Sequence, residues 1–170
     1  MAALFIFAGL PGTGKTTLSQ QLARRIPAVH IRIDTLEQGL RDLCNLQVEG
    51  EGYRLGYRIA ADNLALGMDV VADSCNPLEL TRREWEQVSR NAGAEFINIE
   101  VICSDAREHR RRIESRVSNI AGLQLPTWSD VEHREYDRWS KDRIIIDTAG
   151  RSESQCVHAL LSALGRETAL

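Results

Sequence analysis

Apolar residues along this chain gather into five short runs, and the stretches between them repeat their apolar positions at helical spacing. Leu4 to Ala8, Ala28 to Ile33, Val70 to Ala72, Phe96 to Ile102 and Ile144 to Ile146 read as buried strands. Leu18, Leu22 and Ile26 lie four apart and predict an amphipathic helix over 17–26. Further helices are predicted over 35–41, 53–66, 78–91, 105–117, 129–139 and 153–164. In the helix over 53–66, Leu55, Ile59, Asn63 and Leu66 fall along one side, and Gly67 suits its C-terminus. The helix over 78–91 carries Leu80, Trp85 and Val88, and Asp105 can cap the helix that follows it. Residues 43–52, with Gly50 and Gly52, and 118–127, with Gly122 and Pro126, break these patterns and read as loops.

Short, nearly continuous apolar runs that alternate with helices predict an α/β fold, a parallel sheet covered on both faces. No internal repeat interrupts it. The 170 residues suggest one domain, 1–170, long enough to bury a real core. Hydrophobic content of 43% and charged content of 26% are ordinary for a soluble globular protein. With a net charge of -3, nothing in the bulk charge argues for a nucleic-acid partner or an acidic membrane surface. The first strand begins almost at Met1, which leaves no room for a signal peptide, and no later run approaches a membrane span. Cys44, Cys75, Cys103 and Cys156 are far apart, with a spacing that suits neither zinc nor a disulfide framework. They read as reduced thiols of a cytoplasmic protein, mostly core filler.

The chemistry concentrates at one stretch. Gly9-Leu10-Pro11-Gly12-Thr13-Gly14-Lys15-Thr16 fits G-x-x-x-x-G-K-[ST], between a predicted strand and a helix that opens with Thr17. Glycines let the backbone turn its N–H groups inward as a nest for phosphate oxygens, and the helix N-terminus adds partial positive charge. Lys15 then reaches the β- and γ-phosphates, and the Thr16 hydroxyl ligates Mg²⁺. ATP and Mg²⁺ are the expected cofactors.

Ligands of such sheets collect at the carboxyl ends of the strands, where Asp34, Asp73, Cys103 to Asp105 and Asp147 to Gly150 all fall. Phosphoryl transfer needs positioning and neutralisation of charge on the moving group. Asp73 ends an apolar strand as a Walker-B-type acid does, and suits Mg²⁺. Asp34 ends the neighbouring strand and suits the proton of an acceptor hydroxyl. Both are also of the type that caps helices and forms turns. The helix over 105–117 carries Arg107, Arg110, Arg111, Arg112 and Arg116. Arg112 and Arg116, four apart, run toward the irregular segment, which looks like a mobile lid whose arginines supply positive charge in cis. The same helix also reads as a solvated face with Glu108 and Glu114 as partners.

GLPGTGKT, Ile33-Asp34-Thr35, Asp73-Ser74-Cys75-Asn76 and Arg112-Ile113-Glu114-Ser115-Arg116 occur in this order. Together they resemble the small P-loop kinases of the AAA_33 or predicted-kinase type. That group includes the kinase domain of polynucleotide kinase, chloramphenicol phosphotransferase, gluconate kinase, adenylylsulfate kinase and the zeta-toxin kinases. The resemblance spans nearly the whole chain. It implies a P-loop NTPase with three layers, a five-stranded parallel sheet in the order 2-3-1-4-5 and a helical lid at approximately 112–130. It implies Asp34 as general base, Arg112 and Arg116 as lid arginines, and Asp73 in the pattern that runs from Val70 to Asn76. The loop after strand five, Thr148 to Arg151 with Gly150, would flank the adenine.

The expected activity is transfer of the γ-phosphate of ATP to a hydroxyl of a small molecule. Two other readings compete with it: a polynucleotide 5′-hydroxyl kinase, and a nucleotide-gated switch or ATPase. An Asn-Lys-x-Asp motif, which a GTPase needs, is absent, and Ser74 stands where a ring ATPase carries glutamate. Tyr53, Arg54, Tyr57, Arg58, Trp128, His133, Arg134, Tyr136 and Trp139 are available to an acceptor, whose identity the sequence leaves open along with the oligomeric state. His30, His109, His133 and His158 show no metal-ligand spacing and carry no assignment.

Overall fold

Five strands pair in parallel in the order β2-β3-β1-β4-β5: β1 (Ala3–Ala8), β2 (Ala28–Arg32), β3 (Asp69–Asp73), β4 (Glu95–Ile102) and β5 (Ile144–Asp147). The computed structural model describes residues 1–166; the last four residues of the expected 1–170 domain lie outside the described residues. The described residues form seven helices: α1 (Lys15–Arg25), α2 (Ile33–Cys44), α3 (Glu51–Ala65), α4 (Glu79–Asn91), α5 (Ala106–Ser115), α6 (Trp128–Glu132) and α7 (Glu153–Ala163). Of these, α1, α3, α4 and α7 pack on the sheet. This is the expected three-layer P-loop architecture with the expected strand order.

β1 is buried along its whole length. Its side chains alternate between two cores. Phe5 and Phe7 pack with Leu18, Leu22, Val157 and Leu160 of α1 and α7. Leu4 and Ile6 pack with Ile33, Ala60, Leu64 and Trp85 on the opposite face. Burial on both faces explains why the strands read as continuous apolar runs instead of alternating ones. Local signals set several helix starts. The Asp105 carboxylate accepts from the N–H groups of Arg107 at 2.8 Å and Glu108 at 3.1 Å. Ser152 with Gln155, and Thr127 with Asp130, form capping boxes.

Four expectations need correction. α3 does not bury Leu55, Ile59, Asn63 and Leu66. Its inner face is Gly52, Gly56, Ala60 and Leu64, while Ile59 is 37% and Leu66 77% exposed. A Cβ on Gly56 would lie 2.6 Å from Ile33 and 3.2 Å from Trp85, so the helix sits too close to its neighbours for a large inner side chain. Leu80 of α4 is likewise exposed, and that helix buries Arg82, Trp85, Glu86 and Ser89. The helix predicted over 129–139 is only Trp128–Glu132. Tertiary contacts from Tyr136, Asp137, Lys141 and Arg143 hold the chain beyond it in an irregular path. Only Cys156 of the four cysteines is core filler; Cys44 is exposed, and Cys75 and Cys103 are half-buried.

Candidate active site

The phosphate loop shows why the motif needs its residues. Gly9 has φ +138°, and a Cβ there would meet the Val101 carbonyl at 2.2 Å. The loop can leave β1 beside β4 only because nothing projects from that position. Gly12 has φ +80°, and a Cβ would strike Ile113 of α5 at 2.5 Å. The loop's carbonyls are bonded to its surroundings. Leu10 O accepts from the Thr13 hydroxyl at 2.9 Å and Lys15 Nζ at 3.1 Å. Pro11 O lies 2.7 Å from His109 Nε2, so that nitrogen carries the proton. Thr13 O accepts from the Thr148 hydroxyl at 2.8 Å. Among the described residues, no backbone acceptor takes the amides of Gly12 to Thr17. Carbonyls turned to the protein and amides left over are what a phosphate nest requires.

Asp73 ends β3 as expected, and Arg32 is its register partner on β2. It is 3% exposed, and its Oδ2 has no hydrogen-bond partner. Burial pushes the Asp73 carboxyl up, while Lys15 and Thr16 pull it down. His30 Nε2 and Arg32 Nε stand 3.8 Å and 3.9 Å from Oδ2, too far for hydrogen bonds. His30 instead meets the Ser19 hydroxyl at 2.9 Å. A buried, unpaired carboxylate oxygen beneath Lys15 and Thr16 fits a hard cation carried in with a nucleotide. Among the described residues, no group of three or more His, Cys, Asp or Glu could hold a metal ion. Nucleotide-bound Mg²⁺ does not need such a group, since one or two protein ligands suffice.

A cleft of about 950 Å³ opens in front of the loop. Pro11, Gly12, Gly14, Lys15, Thr16, Thr17 and Arg151 line it, as do Asp34, Arg112 and Arg116. Gly9, Thr13, Gly150 and Asp73 do not. The first two shape the loop from behind, and the Gly150 N–H donates to Glu108 Oε2 at 2.9 Å. Asp34 is not at a strand end as expected. α2 begins directly after β2 without a loop, which places Asp34, exposed, in the first helical turn. No side chain caps α2, so Asp34 is not used as a helix cap.

Glu108 and Glu114 both take arginine partners, as the solvated-face reading expects. Arg110 pairs with Glu114 on the solvated side. Arg112, by contrast, is held by Glu108 at 2.6 Å and donates to the Thr148 hydroxyl at 2.7 Å and carbonyl at 3.0 Å. It ties α5 to the loop after β5 and, through Thr148, to Thr13. Arg116 caps the end of α5 in an extended conformation, and its Nε is buried without a partner. Burial lowers its pKa, and the Asp34 charge works the other way.

Sequence reasoning passed over His109 and Arg82. His109 is buried, packs edge-on against Trp128 with ring centroids 5.3 Å apart, and so links α6 to the Pro11 carbonyl. The available signal was its place four residues before Ile113, the other buried residue of α5. Nothing in the sequence marks Arg82 out.

The parallel sheet, the glycine loop at its carboxyl edge and the cleft in front define a P-loop nucleotide-binding domain of the kinase type. Residues 4–139 match the AAA_33 family, described as an AAA domain, and the chain belongs to that family. Adenylyl-sulfate kinase from Synechococcus sp. (strain JA-3-3Ab) is 24% identical over 173 residues, which cover 93% of this chain and 91% of that protein. The solved Mycobacterium tuberculosis APS kinase in complex with AMPPNP and APS superposes with a TM-score of 0.73 at 19% identity, covering 96% of this chain and 98% of that one. A gluconokinase from Sinorhizobium meliloti 1021 superposes with a TM-score of 0.66 at 15% identity, covering 96% and 92%. Among the described residues, no helix is long and apolar enough to cross a membrane.

Proposed function

We propose that this protein is an ATP-dependent kinase that moves the γ-phosphoryl group of ATP to a hydroxyl of a small molecule. One observation carries the reading: Lys15, the phosphate loop and the exposed carboxylate of Asp34 line one cleft. A switch that only binds and releases nucleotide needs the first two and has no use for the third. The free amides of Gly12 to Thr17 and Lys15 bind the phosphates. Thr16 and Asp73 would hold Mg²⁺, which when bound neutralises phosphate charge. Asp34 takes the proton from the acceptor hydroxyl at its carboxylate oxygen. Arg112, fixed by Glu108 and Thr148, and Arg116 supply positive charge to the moving group. Segment 112–130 serves as the lid, since residues 116–119 and 122–126 border the cleft.

The test is a screen of hydroxyl-bearing metabolites, nucleosides and antibiotics for label from γ-labelled ATP, with Asp34→Asn run in parallel. The expected result is acceptor-dependent transfer that the variant loses while binding ATP normally. ATP hydrolysis at equal rates with and without every acceptor, and in both proteins, would sink the kinase reading in favour of a switch or ATPase.

A further inference from the structure

The cleft is far more basic than the chain. Seven cationic side chains line it against three carboxylates, in a protein whose net charge is -3. Lys15, Arg112 and Arg151 stand at the phosphate-loop end and account for the charge of a nucleotide. Arg116, at the end of α5, is taken up by the moving phosphoryl group, and the other three, Arg32, Arg41 and Arg134, come from β2, α2 and the chain after α6. Only Asp34 and Glu37 share that end, and Glu37 is already paired with Arg41 at 3.4 Å.

These guanidinium groups are incompletely used. Arg32 is 16% exposed, its Nη1 donates to Asn119 at 2.8 Å, and its Nε, buried with no hydrogen-bond partner among the described residues, has only the Asp73 carboxylate at 3.9 Å for a counter-charge. Arg116 Nε is likewise buried without a hydrogen-bond partner. Burial depresses the Arg116 pKa, the charge of Asp34 works the other way, and the charges of Arg32 and Arg134 add to the depression. Like charges gathered at a half-buried site with unsatisfied donors cost stability unless an anion completes them. The guanidinium fork matches the planar or tetrahedral oxygens of a carboxylate, sulfate or phosphate.

We propose that the acceptor of this kinase is a small anionic molecule, a hydroxyl compound bearing a carboxylate, sulfate or phosphate that Arg32 and Arg134 hold beside Asp34. This deepens the kinase reading and rests on it for the acceptor role, while the anion site stands on the arginine cluster alone. In the balanced step, the acceptor O–H gives its proton to Asp34. Its oxygen forms the new P–O bond as the bond from the γ-phosphorus to the β–γ bridging oxygen breaks, and ADP leaves with that electron pair. The anionic group takes no part in the chemistry; it anchors the molecule at the far end of the cleft.

The experiment has two arms. In the first, protein saturated with AMPPNP·Mg²⁺, so that the phosphate loop is filled, is titrated with sodium sulfate against chloride of equal ionic strength while Tm is followed. Sulfate stabilises most proteins unspecifically, so the readout is the difference between wild type and the variants Arg32→Gln and Arg134→Gln. Arg134 is exposed, which keeps the test valid if Arg32→Gln fails to fold. A saturable extra shift in wild type, lost in the variants, is expected. Equal shifts in all three proteins overturn the site.

In the second arm, γ-labelled ATP is offered with matched pairs: glucose and gluconate, ribose and ribose 5-phosphate, adenosine and adenosine 5′-monophosphate. Transfer to anionic members is expected, with KM raised about tenfold or more in Arg134→Gln. Equal transfer to neutral members overturns the anionic acceptor and leaves the kinase reading intact. An arginine-dependent sulfate shift with no transfer to any member, and with ATP hydrolysis that none of them changes, upholds the anion site and overturns its assignment to the acceptor. Preference for the 5′-hydroxyl of an oligonucleotide over every small anion overturns the small-molecule assignment.

Discussion

Two polar regions of this molecule treat their donors and acceptors in opposite ways. Under the 134–143 segment, Arg82 is 3% exposed and fully engaged. It donates to the carbonyls of Asn76 at 2.8 Å, Asp137 at 3.0 Å and Pro77 at 3.0 Å. Its guanidinium also stacks on Trp139 and Tyr136, at 4.2 Å and 4.9 Å from the ring centroids. Glu86 is similarly surrounded by Arg90, Asn98 and Lys141. Around the phosphate loop, by contrast, the amides of Gly12 to Thr17, Asp73 Oδ2 and the Nε atoms of Arg32 and Arg116 lack partners. Buried polar groups in folded proteins are normally paired. Where they are paired with one another they hold shape, and where they are left over at a cleft they are available to a ligand. The first region is not wholly paired, since Asn76 Oδ1, Trp85 Nε1 and Asn98 Oδ1 also lack partners, but its charged groups are paired, and that separates it from the cleft.

The sharpest way to break the comparison is Lys15→Ala. Among the described residues Lys15 has a single hydrogen bond, to Leu10 O, and lies outside both hydrophobic clusters. Measurable phosphotransfer should vanish and ATP affinity fall, with Tm close to wild type. Wild-type turnover would remove the functional reading of the loop.

Asp34→Asn should slow transfer by about 10²–10⁴-fold, the usual loss for a missing base. Calorimetric affinity for ATP·Mg²⁺ should stay near wild type, whereas Asp73→Asn should weaken it. If both variants lose nucleotide affinity alike, Asp34 belongs with the metal and not with the acceptor. Arg116→Ala should lower kcat on the order of 10²-fold, since charge that meets only the transition state shows in kcat. Arg112→Ala should lower kcat likewise but also Tm, because it breaks the bonds to Glu108 and Thr148. Normal turnover in both would return α5 to the status of a solvated face.

Arg82→Ala inverts the pattern. Three carbonyls lose their donor and two aromatic rings lose their cation, at a cost of about 3 kcal/mol, or roughly 6–12 °C in Tm. ATP affinity measured well below that Tm should hold. A large loss of affinity with an unchanged melt would show the two regions to be one.

The smallest effect is electrostatic. Burial raises the Glu86 pKa, but hydrogen bonds from Lys141 and Asn98 outweigh it and hold the carboxyl below its ordinary value. A lowered folded-state pKa contributes stability above the unfolded value of about 4.5, which is lost as pH falls through the folded value. Acid melts of wild type should therefore show an extra decline below that pH which Glu86→Gln lacks. Parallel curves would mean that the cluster contributes nothing through charge.

What could be read from residue order was what depends on neighbours along the chain. The five strands, the phosphate loop, the Asp105 cap and the start of α7 follow from apolar runs, glycines and capping side chains, whose partners lie within a few residues. Strand order and the family followed from motifs in a fixed succession. Contacts between distant segments were out of reach. The close packing of Gly56 against Ile33 and Trp85 selected the inner face of α3 against its larger residues. Arg82 and Glu100 hold residues 134–143 in an irregular path, so that the helix their spacing allowed ends before residue 139. His109 meets Pro11 only because α5 crosses the loop. Arg32, Arg116 and Arg134, scattered over a hundred residues, share a cleft only after the sheet is assembled, so the charge of the acceptor end is a property of the fold and not of any stretch of chain.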